Sequence, residues 1–443
     1  MKRLFIILIH LCVYGCTLAA TESAYAALSV SDIVNETLEH NPTVIEADAA
    51  IGAAEAAVKS VRADMLPEGK FSYGYTSLTK PPVMKIGGNE LQAAHQRLYN
   101  WDVTVVQPLF AGFALTSKLD ISKLNTAARR LEKEQTVLEL VRNVKSSCYN
   151  LMLVRRLLAV GEDEVSALKA HKRNAELFYQ QGLIRKNDLL QAHVALADSE
   201  QRLEAARANV RKTEMLVNRL MSRSIDTPVD IADTILTAKM PQSDLYNLDS
   251  LCKMALDQRP LMRLLDNGMR QLYLTEKIVK SDWYPTIALV GRYEHSGDNL
   301  SASNNDYANP SNTSVTVQFQ WKFWQSGKVR ANVTHIRQKI RGLIASIEGY
   351  RHQILEEVRS SVLDCRIAEG NIKTAEEALK QAKENWRITD LQYREQDALA
   401  SDVLDARTFL SQADANYYQA VYGYLNAVAG LDRAIGKMST PKF

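Results

Sequence analysis

The feature that most limits how this chain can fold is that it states its plan twice. EHNPTVIEADAA, starting at Glu39, returns as DQRPLMRLLDNG, so that Pro42 recurs as Pro260, 218 residues on. VRADMLPEGKFSYGY returns as VKSDWYPTIALVGRY at the same shift, pairing Pro67 with Pro285 and Tyr75 with Tyr293. Farther along, VKSSCYNL matches VRSSVLDC and FYQQGLIRKNDLLQA matches QYREQDALASDVLDA. There the shift is 214, pairing Ser146 with Ser360, Tyr179 with Tyr393 and Asp188 with Asp402. The change of register falls in the polar stretches around 79–98 and 297–312.

Each half then reads alike. A helical segment (about 29–64 and 248–282) leads to a proline, a strand, a polar loop and a second strand. A very long helix follows (about 113–180 and 326–394), then a short turn and a last helix (about 188–222 and 401–436). A polar bridge, 223–247, separates the first repeat, 27–222, from the second, 248–436, and residues 437–443 form a tail. At 1.5 Å per residue each long helix spans roughly 100 Å. That exceeds an ordinary globular core and predicts a long, thin array. The last helices carry apolar or small residues spaced three and four apart, from Leu189 through Ala192, Leu196 and Ser199 to Leu220, and from Val403 through Ala406 and Leu410 to Ala434. That spacing is a coiled-coil seam.

The strands alternate with a period of two. Val315, Val317, Phe319, Trp321 and Phe323 share one phase, with Thr316, Gln318, Gln320 and Lys322 on the other. Three further candidates, about 71–78, 99–108 and 286–296, behave similarly. Aromatic residues on one face and charged residues on the other fit a membrane β-barrel, with lipid outside and water inside. A soluble sheet packed on a helix would alternate too, but no globular segment is left to cover the aromatic faces. Four strands cannot close a barrel, and an open edge in lipid leaves backbone groups unpaired. Several copies must therefore share it: two give eight strands, three give twelve, and strand count alone does not choose.

Aromatics make up 7% of the chain and glycine and proline are few, which argues against an all-β or collagen-like fold. The net charge of +3, with no long basic block, gives no sign of nucleic-acid binding. Lys2 and Arg3, an apolar run to about Leu18, and Ala24-Tyr25-Ala26 read as a signal peptide, 1–26. A second reading lipidates Cys16. The three later cysteines, Cys148, Cys252 and Cys365, lie far apart in helical patterns and read as buried thiols. Beyond the signal no apolar run is long enough for a membrane helix. There is no phosphate-binding glycine loop, no HExxH and no GxSxG, so no catalysis, cofactor or metal is expected.

The duplication, the prolines before the strands, Pro108-Leu109-Phe110-Ala111-Gly112 at a strand-to-helix passage and Asp402-Val403-Leu404-Asp405-Ala406 after the second turn together resemble the TolC family of outer-membrane export channels. The likeness runs from about 28 to 436. It implies a homotrimer with a twelve-stranded barrel in outer-membrane lipid, continued by a helical tunnel across the periplasm. It also implies a periplasmic adaptor and an inner-membrane transporter as partners, so that the chain is the outlet of a tripartite export system for small molecules or unfolded protein. The helical turns would then form the periplasmic tip, with Gly182, Leu183, Asp397 and Ala398 as adaptor-docking positions. Asp402, Asp405 and Asp188 would ring the entrance; Asp188 reads better as a helix cap, while Asp402 and Asp405, which could also serve a helix start, read better as the ring. Tyr393, Tyr179 and His171 would sit near the tip as a gate or as plain packing. The second turn lacks the glycine of the first, which leaves its conformation open. The competing reading is a secreted or periplasmic coiled-coil structural protein or adhesin.

Overall fold

The computed structural model describes residues 27–232 and 247–437. The signal peptide with Cys16, most of the 223–247 bridge, and the tail after Lys437 lie outside the described residues. The first half runs α1 (Val30–His40), α2 (Pro42–Ala63), β1 (Glu68–Ser77), a small hairpin of β2 (Val83–Ile86) and β3 (Asn89–Gln92), β4 (Arg97–Ala111), α3 (Ala114–Gln180) and α4 (Lys186–Met221). The second runs α5 (Leu248–Gln258), α6 (Pro260–Ser281), β5 (Thr286–Gly297), β6 (Ser311–Gln320), α7 (Lys328–Arg394) and α8 (Ala400–Ala434).

The expected opening helix of each half is two helices. Proline has no N–H and fixes φ, so it starts a helix better than it continues one. Asn41 caps α2 by accepting from the Thr43 N–H at 3.0 Å, and Pro42 and Pro260 each take the first turn of the helix they open. The expected loop at 79–98 contains the β2–β3 hairpin, turned at Gly87 and Gly88, both with positive φ.

The long helices are joined to strands in the same way in both halves. Gly112 and Phe113 have φ of 57° and 68°; Ser326 and Gly327, 214 residues on, have 47° and 80°. Two successive left-handed residues turn the chain from strand to helix whichever of the pair is glycine. At the first joint a side chain on Gly112 would strike the Ser281 carbonyl 2.6 Å away.

The apolar core lies where the helices overlap. Val144, Cys148 and Leu151 of α3 pack with Ile33 and Val34 of α1, Val217 of α4 and Tyr422 of α8. Ile354, Val358 and Cys365 of α7 pack with Ala255 of α5 and Leu431 of α8. All three later cysteines are free and buried, as expected. The α4 seam is buried at Ala192, Leu196, Ser199, Leu203, Val210, Thr213 and Val217. In α8 the buried face widens to take in Val421, Tyr422, Leu425 and Ala429, because that helix packs on both α3 and α7. The start of the bridge is pinned: Arg223 grips Glu36 at 2.5 and 2.6 Å, and Ile231 bridges to Leu28.

Candidate functional site

Two regions hold the candidate residues: the sheet at one end and the helical turns at the other. The sheet has the order β1-β4-β5-β6 and is antiparallel throughout. Directly paired residues face the same side, so the register tests the alternation. Phe71 pairs with Val103, Val103 with Tyr293, Val315 with Gly291, Val317 with Leu289 and Phe319 with Ile287. All lie on one face. Lys70, Asp102, Arg292 and Glu294 lie on the other, where Arg292 bonds Asp102 at 3.2 Å. Val315, Val317 and Phe319 are 74%, 65% and 62% exposed. Both faces of β6 are bare, and among the described residues β1 and β6 each leave one edge unpaired.

The apolar face is banded. Tyr75 and Tyr99, then Trp101 and Tyr293, cluster at the loop end. Phe110, Phe113 and Tyr284 cluster at the helix end. Aliphatic Val103, Val105, Leu289, Val315 and Val317 fill the interval. A bulge between Pro108 and Phe110 keeps Phe110 on the face of Trp101, and their β5 partners His295 and Ile287 lie eight steps apart; at about 3.3 Å per step and a tilt of roughly 40° that is about 20 Å along the normal. It approaches the apolar band of about 25 Å between two aromatic girdles. Trp321 and Phe323, expected on the strand, lie past its end at Gln320. Their rings are 6.2 Å apart, and the Trp321 indole donates to the Trp283 carbonyl at 3.1 Å, so they extend the helix-end girdle.

At the other end, Asp188 Oδ2 accepts from the Arg185 N–H at 3.2 Å and Asp402 Oδ2 from the Leu399 N–H at 3.1 Å. Each sits at the third position of its helix and reaches back to an otherwise orphaned amide. Asp188 was read as a cap and acts as one from inside the helix; Asp402 does the same. Asp405 is exposed, one turn farther on. The second turn repeats the first: Gln396, at φ 64°, takes the left-handed place of Gly182, at φ 72°. Leu183 N–H bonds the Phe178 carbonyl at 2.9 Å and Asp397 N–H the Gln392 carbonyl at 2.7 Å. Gly182, Leu183 and Asp397 are exposed, while Ala398 packs beside Tyr393, Ala400 and Val403.

His171 and Tyr393 come together, 5% and 3% exposed, with rings 4.9 Å apart. Tyr179 does not join them and is 41% exposed. Among the described residues neither His171 Nε2 nor the Tyr393 hydroxyl has a hydrogen-bond partner. Burial lowers the His171 pKa against the pull of Asp390, and burial followed by the Asp188 charge raises that of Tyr393.

Among the described residues three buried cations were missed in the sequence: Lys145, which pairs with Asp432 at 3.4 Å, and the arginines Arg407 and Arg259. Arg407 is 7% exposed, lies 5.7 Å over the Trp386 ring, and lines a groove of about 580 Å³ between the helix pairs. Arg259 is 3% exposed and bonds Glu357 at 2.6 Å; burial and the nearby Arg433 push its pKa down to about 10. Arg259 stands where the first half has Asn41. The only sequence signal was its place in the repeated proline motif.

The sequence model of the family described as Outer membrane efflux protein matches residues 33–221 and again 251–437. The chain belongs to that family. Outer membrane protein TolC of Vibrio cholerae serotype O1 is 20% identical over 431 residues, covering 95% of this chain and 94% of that protein. TolC of Salmonella enteritidis is 23% identical over 145 residues, 33% of this chain and 30% of that protein. The solved outer-membrane channel OprN superposes with a TM-score of 0.78 at 17% identity, covering 92% of this chain and 89% of that one. The Campylobacter jejuni CmeC outer membrane channel gives 0.77 at 15%, covering 92% and 85%. These structures share the fold. The outer membrane efflux protein described here is therefore an outer-membrane protein, with the family and fold of channels rather than enzymes. Membership displaces the adhesin reading, which left the matched hairpins unexplained. Among the described residues no helix is long and apolar enough to cross a membrane.

Proposed function

We propose that three copies of this chain close one twelve-stranded barrel in the outer membrane, and that their helices form the periplasmic conduit of a tripartite export system. The observation that carries the reading is the banded four-stranded sheet with bare edges on β1 and β6. An unpaired strand edge in hydrocarbon costs several kcal/mol per orphaned backbone group, and edge-to-edge joining of copies removes every edge. The helices α3 and α7, 67 residues each, reach roughly 100 Å from that barrel. A periplasmic adaptor docks at the exposed tips, at Gly182, Leu183 and Asp397, with Ala398 supporting the second from behind. An inner-membrane transporter supplies the cargo, a small molecule or an unfolded protein.

Asp402 and Asp405, repeated threefold, ring the entrance and favour cations there. The buried His171–Tyr393 contact holds the tip closed at rest, with Tyr179 outside it.

Native mass of the complex, extracted from outer membranes in mild detergent, tests the assembly. Three chains per particle is the expected result; a monomer that stays soluble without detergent would overturn it. In planar bilayers, the Asp402→Asn, Asp405→Asn double variant should lose cation preference and divalent-cation block. Unchanged selectivity would remove the ring.

A further inference from the structure

At the end of the sheet away from the helices, two loops meet, one from each half. Residues 78–96 join β1 to β4 and residues 298–310 join β5 to β6. His95, from the first loop, lies between two carboxylates of the second. Its Nδ1 is 3.8 Å from Asp298 Oδ2 and its Nε2 is 3.9 Å from Asp306 Oδ2. One ligand atom from each of the three residues can be chosen so that all lie within 4.8 Å of one another. The imidazole side chain is only 12% exposed, and the Tyr307 ring packs edge-on against it at 4.8 Å.

The second loop is wound to hold this arrangement. Asp298 N–H donates to the Asn304 carbonyl at 2.9 Å, and Asn304 Nδ2 donates to Asp298 Oδ1 at 2.9 Å. A side chain on Gly297 would run into Ala302 and Asn304. Asn305 Oδ1 accepts from the Tyr307 and Ala308 amides, both at 3.1 Å, which fixes the turn carrying Asp306.

The Asp306 N–H donates to His95 Nε2 at 3.3 Å, so that nitrogen carries a lone pair, and a metal would take it in exchange for this long hydrogen bond. At 3.8 and 3.9 Å the carboxylates are too far for hydrogen bonds to the ring. Ligand atoms around a tetrahedral zinc stand about 3.3 Å apart, given bonds of about 2.0–2.1 Å. Small side-chain rotations close that difference.

We propose that His95, Asp298 and Asp306 bind a divalent transition metal of the zinc class, clipping the two loops together at the outer mouth. Two carboxylates balance the dication, and the imidazole favours zinc-class ions over magnesium or calcium. Three protein ligands leave a fourth position for water. The metal is a structural clip, separate from cargo and from the entrance aspartates at the far end.

The test is a calorimetric zinc titration of the full chain in detergent, after chelator treatment. One zinc per chain is expected, with at least about tenfold weaker binding in His95→Gln and in Asp306→Asn. Cobalt bound in place of zinc should give visible bands that vanish in His95→Gln. His335→Gln, on the exposed face of α7, should bind like the parent. Hydrogen exchange should slow in both loops when zinc is added, while the helices of His95→Gln remain as protected as those of the parent. No stoichiometric zinc binding, binding unchanged in His95→Gln, or slowing confined to one loop would overturn the proposal.

Discussion

Arginine at Val317 and arginine at Gln318 should have very different consequences, although the two positions are neighbours. Val317 is 65% exposed, lies opposite Leu289 on the apolar face, and sits between the aromatic girdles. Gln318 lies opposite Ala288 on the polar face. An arginine on the lipid face near the bilayer midplane costs about 2–4 kcal/mol. A barrel of three copies carries the change three times, for a total of about 6–12 kcal/mol, comparable to the whole stability of an ordinary domain. On the wet face the same residue stays hydrated, and the expected change is within about 0.5 kcal/mol. The assay is urea unfolding of each variant reconstituted in lipid vesicles, beside its yield in the outer-membrane fraction. Val317→Arg should assemble poorly and lower the midpoint sharply; Gln318→Arg should resemble the parent. Equal losses, or the opposite order, would refute the assignment of faces and the barrel with it.

Gln396→Gly should stabilise the second tip by about 0.5–1 kcal/mol, because a side chain in the left-handed region costs about 1–2 kcal/mol and glycine returns part of that as chain entropy; thermal unfolding would register it. His171 should make the tip acid-sensitive. Its folded pKa lies below 6.5, so the unfolded state binds the proton first, and the stability present above about 6.5 is lost as the pH falls toward the lowered value. Hydrogen exchange near Tyr393 at about pH 7.5 and 5.5 should diverge in the parent and not in His171→Phe. The Cys148 thiol, pushed up to about 12 by burial, should resist alkylation at mildly alkaline pH while the chain is folded. Stability should fall from pH 9.0, the unfolded thiol's value, as the pH rises toward the folded one; prompt labelling of Cys148 would contradict its burial.

What could be read from sequence was what depends on local pattern. The long helices, expected over 113–180 and 326–394, are observed from Ala114 and Lys328 to Gln180 and Arg394, because Gly112 and Gly327 mark their starts. Strand faces were legible because pleating imposes a period of two regardless of partners. The end of β6 was not, since Trp321 and Phe323 continue the alternation into a girdle that no longer pairs. Pro42 and Pro260 hid two helix breaks inside runs that remain helical on both sides. At the tip, Gln396 adopts a glycine-like conformation through bonds to the preceding helix, which no single residue announces. Arg259 and Arg407 look like surface charges in sequence. Their burial is decided by distant helices: the Glu357 that meets Arg259 is 98 residues away.

The distribution of cores orders the events by which such a chain is made. The helical part buries Ile33, Val144, Val358 and Tyr422 within one copy and can consolidate alone. The sheet cannot, since among the described residues of one copy β6 has neither a covered face nor a second neighbouring strand. Helices should therefore fold first and the barrel last, and insertion should rise more steeply than linearly with the amount of exported chain. A cell that exports too little would accumulate structured helices with exposed strands, the species that quality-control proteases and chaperones recognise.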